Sequence, residues 1–189
     1  MFTILRIDAH ATADRMPTEY AALAASGRTD VVLKQADAET PEQLVAAAQE
    51  ADVLLTDCAM LTGAVLQQLP RCRAIIRYGV GYDTVDVATA SKCGIAVVNV
   101  PDFCNEEVSN HVMMFLLAAA KKLKPLDALV RQGQWAQAKA MQRPMGSIHG
   151  ETLGIIGCGN LGRSVAVKAH AFGMPVIGYS PHTPQPLLN

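Results

Sequence analysis

The sequence predicts an α/β fold, a flavodoxin-like lobe of parallel βα units followed by an incomplete Rossmann lobe. Three observations predict it. Aliphatic and β-branched runs alternate with helix-like segments over residues 1–99; a long helical segment opens at Asn105; and a strand-like run, a glycine turn and a helix-like segment follow one another over residues 152–172.

The strand-like runs stand at residues 3–7, 31–34, 52–56, 74–77 and 95–98, with helix-like segments at 17–26, 41–50, 62–69 and 86–92. One strand and one helix about every 20 residues is the rhythm of parallel strands joined by crossover helices. Thr40, Pro41 and Gln43 have the pattern of a capping box, Thr62 can cap the next helix, and Pro70 stops it. Asn99-Val100-Pro101 marks a boundary, so residues 1–99 are expected to form one lobe and residues 100–189 a linker helix and the second lobe. In the helix opened by Asn105, Glu106 and Glu107 near the start and Lys121, Lys122 and Lys124 near the end suit the helix dipole. Its stretch 112–120 is apolar on every face, which predicts cover from more than one neighbour, between lobes or in a dimer interface. Residues 125–132 read as a short helix ended by Gly133, and residues 134–150 as a connector without a clear period. A strand over 152–156, a helix over 163–172 and a strand over 176–179 complete the reading.

The 189 residues are 50% hydrophobic and carry a formal net charge of −1, which leaves no electrostatic footprint for nucleic acid. No basic segment followed by a long apolar core opens the chain, and the stretch 112–120 is far short of the about 20 residues that a membrane helix needs. Cys58, Cys72, Cys93, Cys104 and Cys158 have no C-x-x-C spacing. They predict reduced thiols in a cytoplasmic chain and argue against a structural metal site.

Gly157-Cys158-Gly159-Asn160-Leu161-Gly162 lies between a predicted buried strand and a predicted helix, the context in which a dinucleotide pyrophosphate is held. Gly157 would make the tight turn, Gly159 would let the pyrophosphate approach the backbone, and Gly162 would let helix and strand pack closely. The phosphates would then lie over the helix N-terminus.

A second run, Arg77-Tyr78-Gly79-Val80-Gly81-Tyr82-Asp83-Thr84-Val85-Asp86, leaves the C-terminal end of a predicted strand, where parallel sheets place their ligands. Successive amides around its glycines can cradle a carboxylate without a cationic side chain. The same run also fits a plain strand-to-helix turn with Asp86 as the helix cap.

Together with Val98-Asn99-Val100-Pro101, Glu106-Glu107-Val108-Ser109-Asn110-His111 and residues 149–173, these motifs make the chain resemble the D-isomer-specific 2-hydroxyacid dehydrogenase family, whose relatives include phosphoglycerate dehydrogenase and the C-terminal binding protein corepressors. The resemblance runs from about residue 40 to Pro181. It implies a substrate lobe in residues 1–99, a nucleotide lobe from residue 100 onward and a cleft between them. It also implies that donors at Gly79, Val80 and Gly81 hold the substrate carboxylate, and that the turn from Gly157 to Gly162 holds a nicotinamide dinucleotide.

Two departures from the family pattern bear on function. Where NAD-using relatives carry an Asp for the ribose hydroxyls, this chain has Ser180. Without that carboxylate a 2′-phosphate is not repelled, and Ser180 and His182 can donate hydrogen bonds to one, so NAD and NADP both stay open. The family's catalytic Arg, Glu and His would lie beyond residue 189, so the resemblance carries over no catalytic residue and implies an N-terminal portion that is inactive alone. Of the histidines present, His111 reads as packed or interfacial, His149 and His170 flank the nucleotide strand and the back of its helix, His10 lies in a loop, and His182 fits the cofactor end. Asn105 opens the long helix near the expected nicotinamide side, as a cofactor contact or only an N-cap.

The leading expectation is therefore an NAD(P)-dependent oxidoreductase that exchanges hydride with C2 of a small 2-hydroxy or 2-oxo acid. A homodimer is expected, without nucleic-acid or membrane partners. A non-catalytic, NAD(H)-responsive interaction module of the corepressor type and one half of a split enzyme are the alternatives.

Overall fold

The computed structural model describes residues 1–8 and 16–181. The chain divides into two units, Met1–Phe103 and Cys104–Asn189. In the first, β1 (Phe2–Arg6), β2 (Val31–Gln35), β3 (Val53–Thr56), β4 (Ala74–Arg77) and β5 (Ala96–Val98) form a parallel sheet of order β2-β1-β3-β4-β5. This is the flavodoxin-like order, in which the winding reverses between β1 and β3. The crossovers are α1 (Met16–Ala25), α2 (Pro41–Ala48), α3 (Gly63–Leu66) and α4 (Val87–Lys92).

Apolar residues on both faces of the central strands explain why these segments are strands. Leu54 on β3, Ile75 on β4 and Ile7 just past β1 are fully buried, and Leu44, Val65, Leu66 and Ala90 from the helices belong to the same core. Each such Leu or Ile contributes about 1.5–3 kcal/mol relative to exposure. The expected capping box is present on α2: Thr40 Oγ1 accepts from the Gln43 amide at 3.3 Å and Gln43 Oε1 accepts from the Thr40 amide at 3.3 Å. Thr62 stands at the N-cap of α3, but its hydroxyl makes no capping bond. Asp86 does cap α4, its Oδ1 accepting from the Thr89 amide at 2.9 Å.

The second unit contains α5 (Asn105–Ala120), α6 (Leu123–Arg131), α7 (Trp135–Met141), β6 (Leu153–Ile156), α8 (Asn160–Ala171) and β7 (Val176–Tyr179). β6 and β7 pair in parallel, Leu153 with Val176 through Ile156 with Tyr179, and α8 makes the crossover between them. Three elements differ from expectation. The stretch read as a connector contains α7, whose Ala, Gln and Lys residues favour helix but of which only Ala138 is buried, so no apolar period marks it. α8 starts at Asn160, because Gly159 already serves as its N-cap, so the second half of the glycine motif is helical. α5 ends at Ala120, and Lys122 and Lys124 fall at the start of α6; the Lys121 and Lys122 ammonium groups donate to the carbonyls of Gly146, Met141 and Pro144.

The apolar stretch of α5 predicts cover by more than one neighbour, between lobes or in a dimer interface. Met113 is buried, while Val112, Met114 and Phe115 remain 41–60% exposed. α6 and α8 are its main neighbours among the described residues. No helix among the described residues is long and apolar enough to cross a membrane.

Candidate functional site

Each unit carries one candidate site, and the glycine turn of the second unit is built as follows. β6 runs into Gly157, whose φ of +97° turns the chain out of the strand while its amide donates to Tyr179 O at 2.8 Å. Gly159 then caps α8, so Asn160, Leu161 and Gly162 form the first helical turn. The first amides of a helix have no intrahelical acceptor, and they sit at the positive end of its dipole. A Cβ on Gly162 would lie 2.1 Å from Gly157 O, so only a residue without a side chain lets helix and turn touch here. A Cβ on Gly159 would meet nothing within 4 Å, which leaves that backbone open to an approaching group.

The side chains around the turn divide by direction. Cys158 is buried, with its sulfur 2.6 Å from where a Cβ on Gly178 would stand, so it packs inward. Leu161 is exposed. Arg163 donates to Asn160 Oδ1 at 2.7 Å, which holds a cation beside the helix N-terminus. Ser180 follows β7 directly and is half-buried. Asn105 is the first residue of α5 rather than its N-cap; Cys104 occupies that position at φ +59°, and the Asn105 carbonyl accepts from Ser109 Oγ at 2.7 Å.

A polar clamp joins α5 to α8. Lys168 Nζ donates to Ser109 Oγ at 2.6 Å and to Glu106 Oε2 at 2.9 Å, and Ser164 Oγ lies 2.9 Å from Ser109 Oγ. Ser109 is fully buried. The hydrogen bond and charge of Lys168 hold the Glu106 carboxyl below the usual range.

In the first unit the candidate site lies at the C-terminal ends of β1, β3 and β4, beside the point where strand order reverses. The loop after β4 uses its carbonyls internally: Gly79 O accepts from the Val100 amide at 3.0 Å, and Val80 O accepts from Asn99 Nδ2 at 2.8 Å. The amides of Gly79, Val80 and Gly81 have no acceptor among the described residues. Donors are thus left over where a carboxylate could be held. Both readings of this run are compatible with the geometry, since Asp86 also caps α4; the Thr89 amide holds its carboxyl below the ordinary range.

The loop after β3 is fixed by Asp8, a buried carboxylate that sequence reasoning passed over. Its Oδ2 accepts from Thr56 Oγ1 at 3.0 Å and from the amides of Asp57, Cys58 and Ala59 at 3.1, 2.7 and 2.8 Å. Burial, and then the charge of Asp8, push the Cys58 thiol up. Paired backbone bonds between Leu61 and residues 84–86 tie this loop to the one after β4. Asp57 accepts from Arg77 Nη1 at 2.8 Å, and Arg77 in turn lies against Gly79, where an added Cβ would come 2.7 Å from Nη1. The signal available in the sequence was an Asp directly after each of two strand-like runs, Asp8 after residues 3–7 and Asp57 after residues 52–56.

The histidines do not form a catalytic pair among the described residues. His111 makes an edge-to-face contact with Phe115 at 4.5 Å and is exposed. His149 packs where a side chain on Gly173 would stand, and His170 is exposed on α8. None of the three bonds a carboxylate of a described residue. His10 and His182 lie outside the described residues. No group of three or more His, Cys, Asp or Glu side chains is placed to hold a metal among the described residues.

Comparison with known proteins places these features in a family. The family model described as D-isomer specific 2-hydroxyacid dehydrogenase, catalytic domain, matches residues 11–170. D-3-phosphoglycerate dehydrogenase of Methanocaldococcus jannaschii is 37% identical over 147 residues, which are 77% of this chain and 28% of that protein. Glyoxylate reductase of Thermococcus gammatolerans is 35% identical over 144 residues, 74% of this chain and 43% of the relative. The crystal structure of D-lactate dehydrogenase from Aquifex aeolicus, complexed with NAD and lactic acid, superposes with a TM-score of 0.80 at 25% identity, covering 97% of this chain and 53% of the other. The chain therefore spans about half or less of the length of these relatives. By the family match, the two parallel βα units and the glycine turn, the chain belongs to the D-isomer specific 2-hydroxyacid dehydrogenase family.

Proposed function

We propose that the chain supplies the carboxylate-binding lobe and the pyrophosphate turn of an NAD(P)-dependent D-2-hydroxyacid dehydrogenase. The observation that carries the proposal is the contact between Gly157 and Gly162, which brings the N-terminus of α8 onto a glycine turn with open backbone at Gly159. These residues fit a dinucleotide: the first-turn amides of α8 would hold the pyrophosphate, with Arg163 adding positive charge beside them. The nicotinamide, when bound, supplies or accepts the hydride exchanged with C2 of a small 2-hydroxy or 2-oxo acid. The amides of Gly79, Val80 and Gly81 orient that acid by its carboxylate, and Asp8 keeps the neighbouring loop in place. Ser180 stands where a carboxylate would exclude NADP, so either dinucleotide is accepted; Asn105 is proposed as a further contact.

The 189-residue chain by itself is proposed to bind without turning over, because no described histidine is paired with a carboxylate that would raise its basicity. Calorimetry with NADH and NADPH, followed by an absorbance assay with glyoxylate, pyruvate and hydroxypyruvate, tests both parts. Failure to bind either dinucleotide would overturn the cofactor reading, and steady oxidation of NADH would overturn the claim of inactivity.

The exposed Val112, Met114 and Phe115 on α5 support a second reading, that this helix also serves association of two copies. Sedimentation with and without NADH tests it, and a monomer under both conditions would count against it.

A further inference from the structure

The amides of Gly79, Val80 and Gly81 provide donors for one carboxylate, so a second anionic group on the same acid would need a cation nearby. Two guanidinium groups stand at the C-terminal ends of the strands among the described residues. Arg6, fully buried, is ion-paired with Glu19 at 3.2 Å. Arg77, against Gly79, is ion-paired with Asp57 at 2.8 Å.

Among the described residues, carboxylates are in excess around them. Asp8 is buried under the loop that carries Asp57, and Asp83 Oδ1 lies 2.9 Å from where a Cβ on Gly81 would be. A phosphoryl group, which brings a charge of about −1.5 to −2 at neutral pH, would enter a field in which each of the two described guanidinium groups is already ion-paired.

On the reading of residues 79–81 as a carboxylate cradle, we infer that Asp57 is a specificity-determining residue. By occupying Arg77 it sets the site to take an acid with a single anionic group and to disfavour one that also carries a phosphoryl group. Arg77 itself is the latent second cation, and Asp57 is what withholds it. The substrate class is then a small 2-hydroxy or 2-oxo monocarboxylate with an uncharged substituent on C2.

D-Glycerate and D-3-phosphoglycerate differ only in the phosphoryl group, which makes them the probes of choice. The whole ¹⁵N-labelled 189-residue chain is titrated with each, and dissociation constants are read from the amide resonances of Gly79, Val80 and Gly81. The wild-type chain is expected to bind glycerate at least about fivefold more tightly than phosphoglycerate. In Asp57→Asn, an isosteric change at a partly exposed position, phosphoglycerate should gain at least about fivefold while glycerate changes less than about twofold. The added change Arg77→Gln should cancel that gain. Equal affinities in the wild type, an equal response of both acids to Asp57→Asn, or a gain that survives Arg77→Gln would overturn the inference and leave the carboxylate cradle standing. If neither acid shifts these amides, the cradle reading itself fails and the inference fails with it.

Discussion

A β-carbon on Gly162 would lie 2.1 Å from the carbonyl oxygen of Gly157, a distance at which backbone must move. Gly162→Ala is therefore expected to push α8 off its turn, destabilising the chain by about 1–3 kcal/mol. NADH affinity should fall at least about tenfold. Gly159→Ala is the contrasting change: its β-carbon meets nothing within 4 Å, so stability should stay within about 0.5 kcal/mol while NADH binding still weakens. Urea melts and calorimetry on both variants separate the two effects. Equal loss of stability in both would contradict the geometry.

Asp8 satisfies the amides of Asp57, Cys58 and Ala59 from a buried position. Asp8→Ala strands those donors, and a loss of about 3–5 kcal/mol is expected in urea unfolding at neutral pH. Amide exchange should rise first at residues 57–60. Exchange unchanged there would mean that the loop does not depend on this carboxylate.

The pairing of Glu106 with Lys168 sets a pH dependence with a definite sign. The Glu106 carboxyl is held below its ordinary value of 4.5, chiefly by the hydrogen bond from Lys168. Its contribution is thus present above the ordinary value and disappears as pH falls through the lower, folded value. The melting temperature should drop as pH is lowered from 7 to 3, and Lys168→Met should flatten part of that drop. Because Glu106 is mostly exposed, the difference between wild type and variant should shrink in 1 M salt.

Ser180→Asp places a carboxylate just past β7. Repulsion of a 2′-phosphate should weaken NADPH at least about tenfold, while NADH binds as well or better. Parallel titrations with the two dinucleotides read the ratio directly, and an unchanged ratio would remove Ser180 from the nucleotide site.

The strands of the first unit were legible to within a residue or so because continuous β-branched and aliphatic runs leave a strong local signal, as at β3 and β4, where one face is buried or half-buried and the other half-buried. Thr40 and Asp86 were legible for a different reason: each capping bond joins residues three apart, so its chemistry is written in adjacent letters. α7 was not legible, since a helix with a single buried residue carries no apolar period. The two neighbours of α5, α6 and α8, were not named by its apolar stretch, because composition reports which surface is apolar and says nothing of what lies against it.

The sequence by itself determined the α/β class, the alternation of elements, the glycine turn and the family, all of which rest on contacts or patterns between near neighbours in the chain. The flavodoxin-like strand order followed from the sequence reading, whereas the tertiary structure alone decided the capture of the 57–59 amides by Asp8, the Asp57–Arg77 pair and the clamp of Lys168 on Ser109. Those contacts join residues from 20 to 59 positions apart. Each depends on how loops and helices pack once the sheet is formed, and no local propensity encodes that.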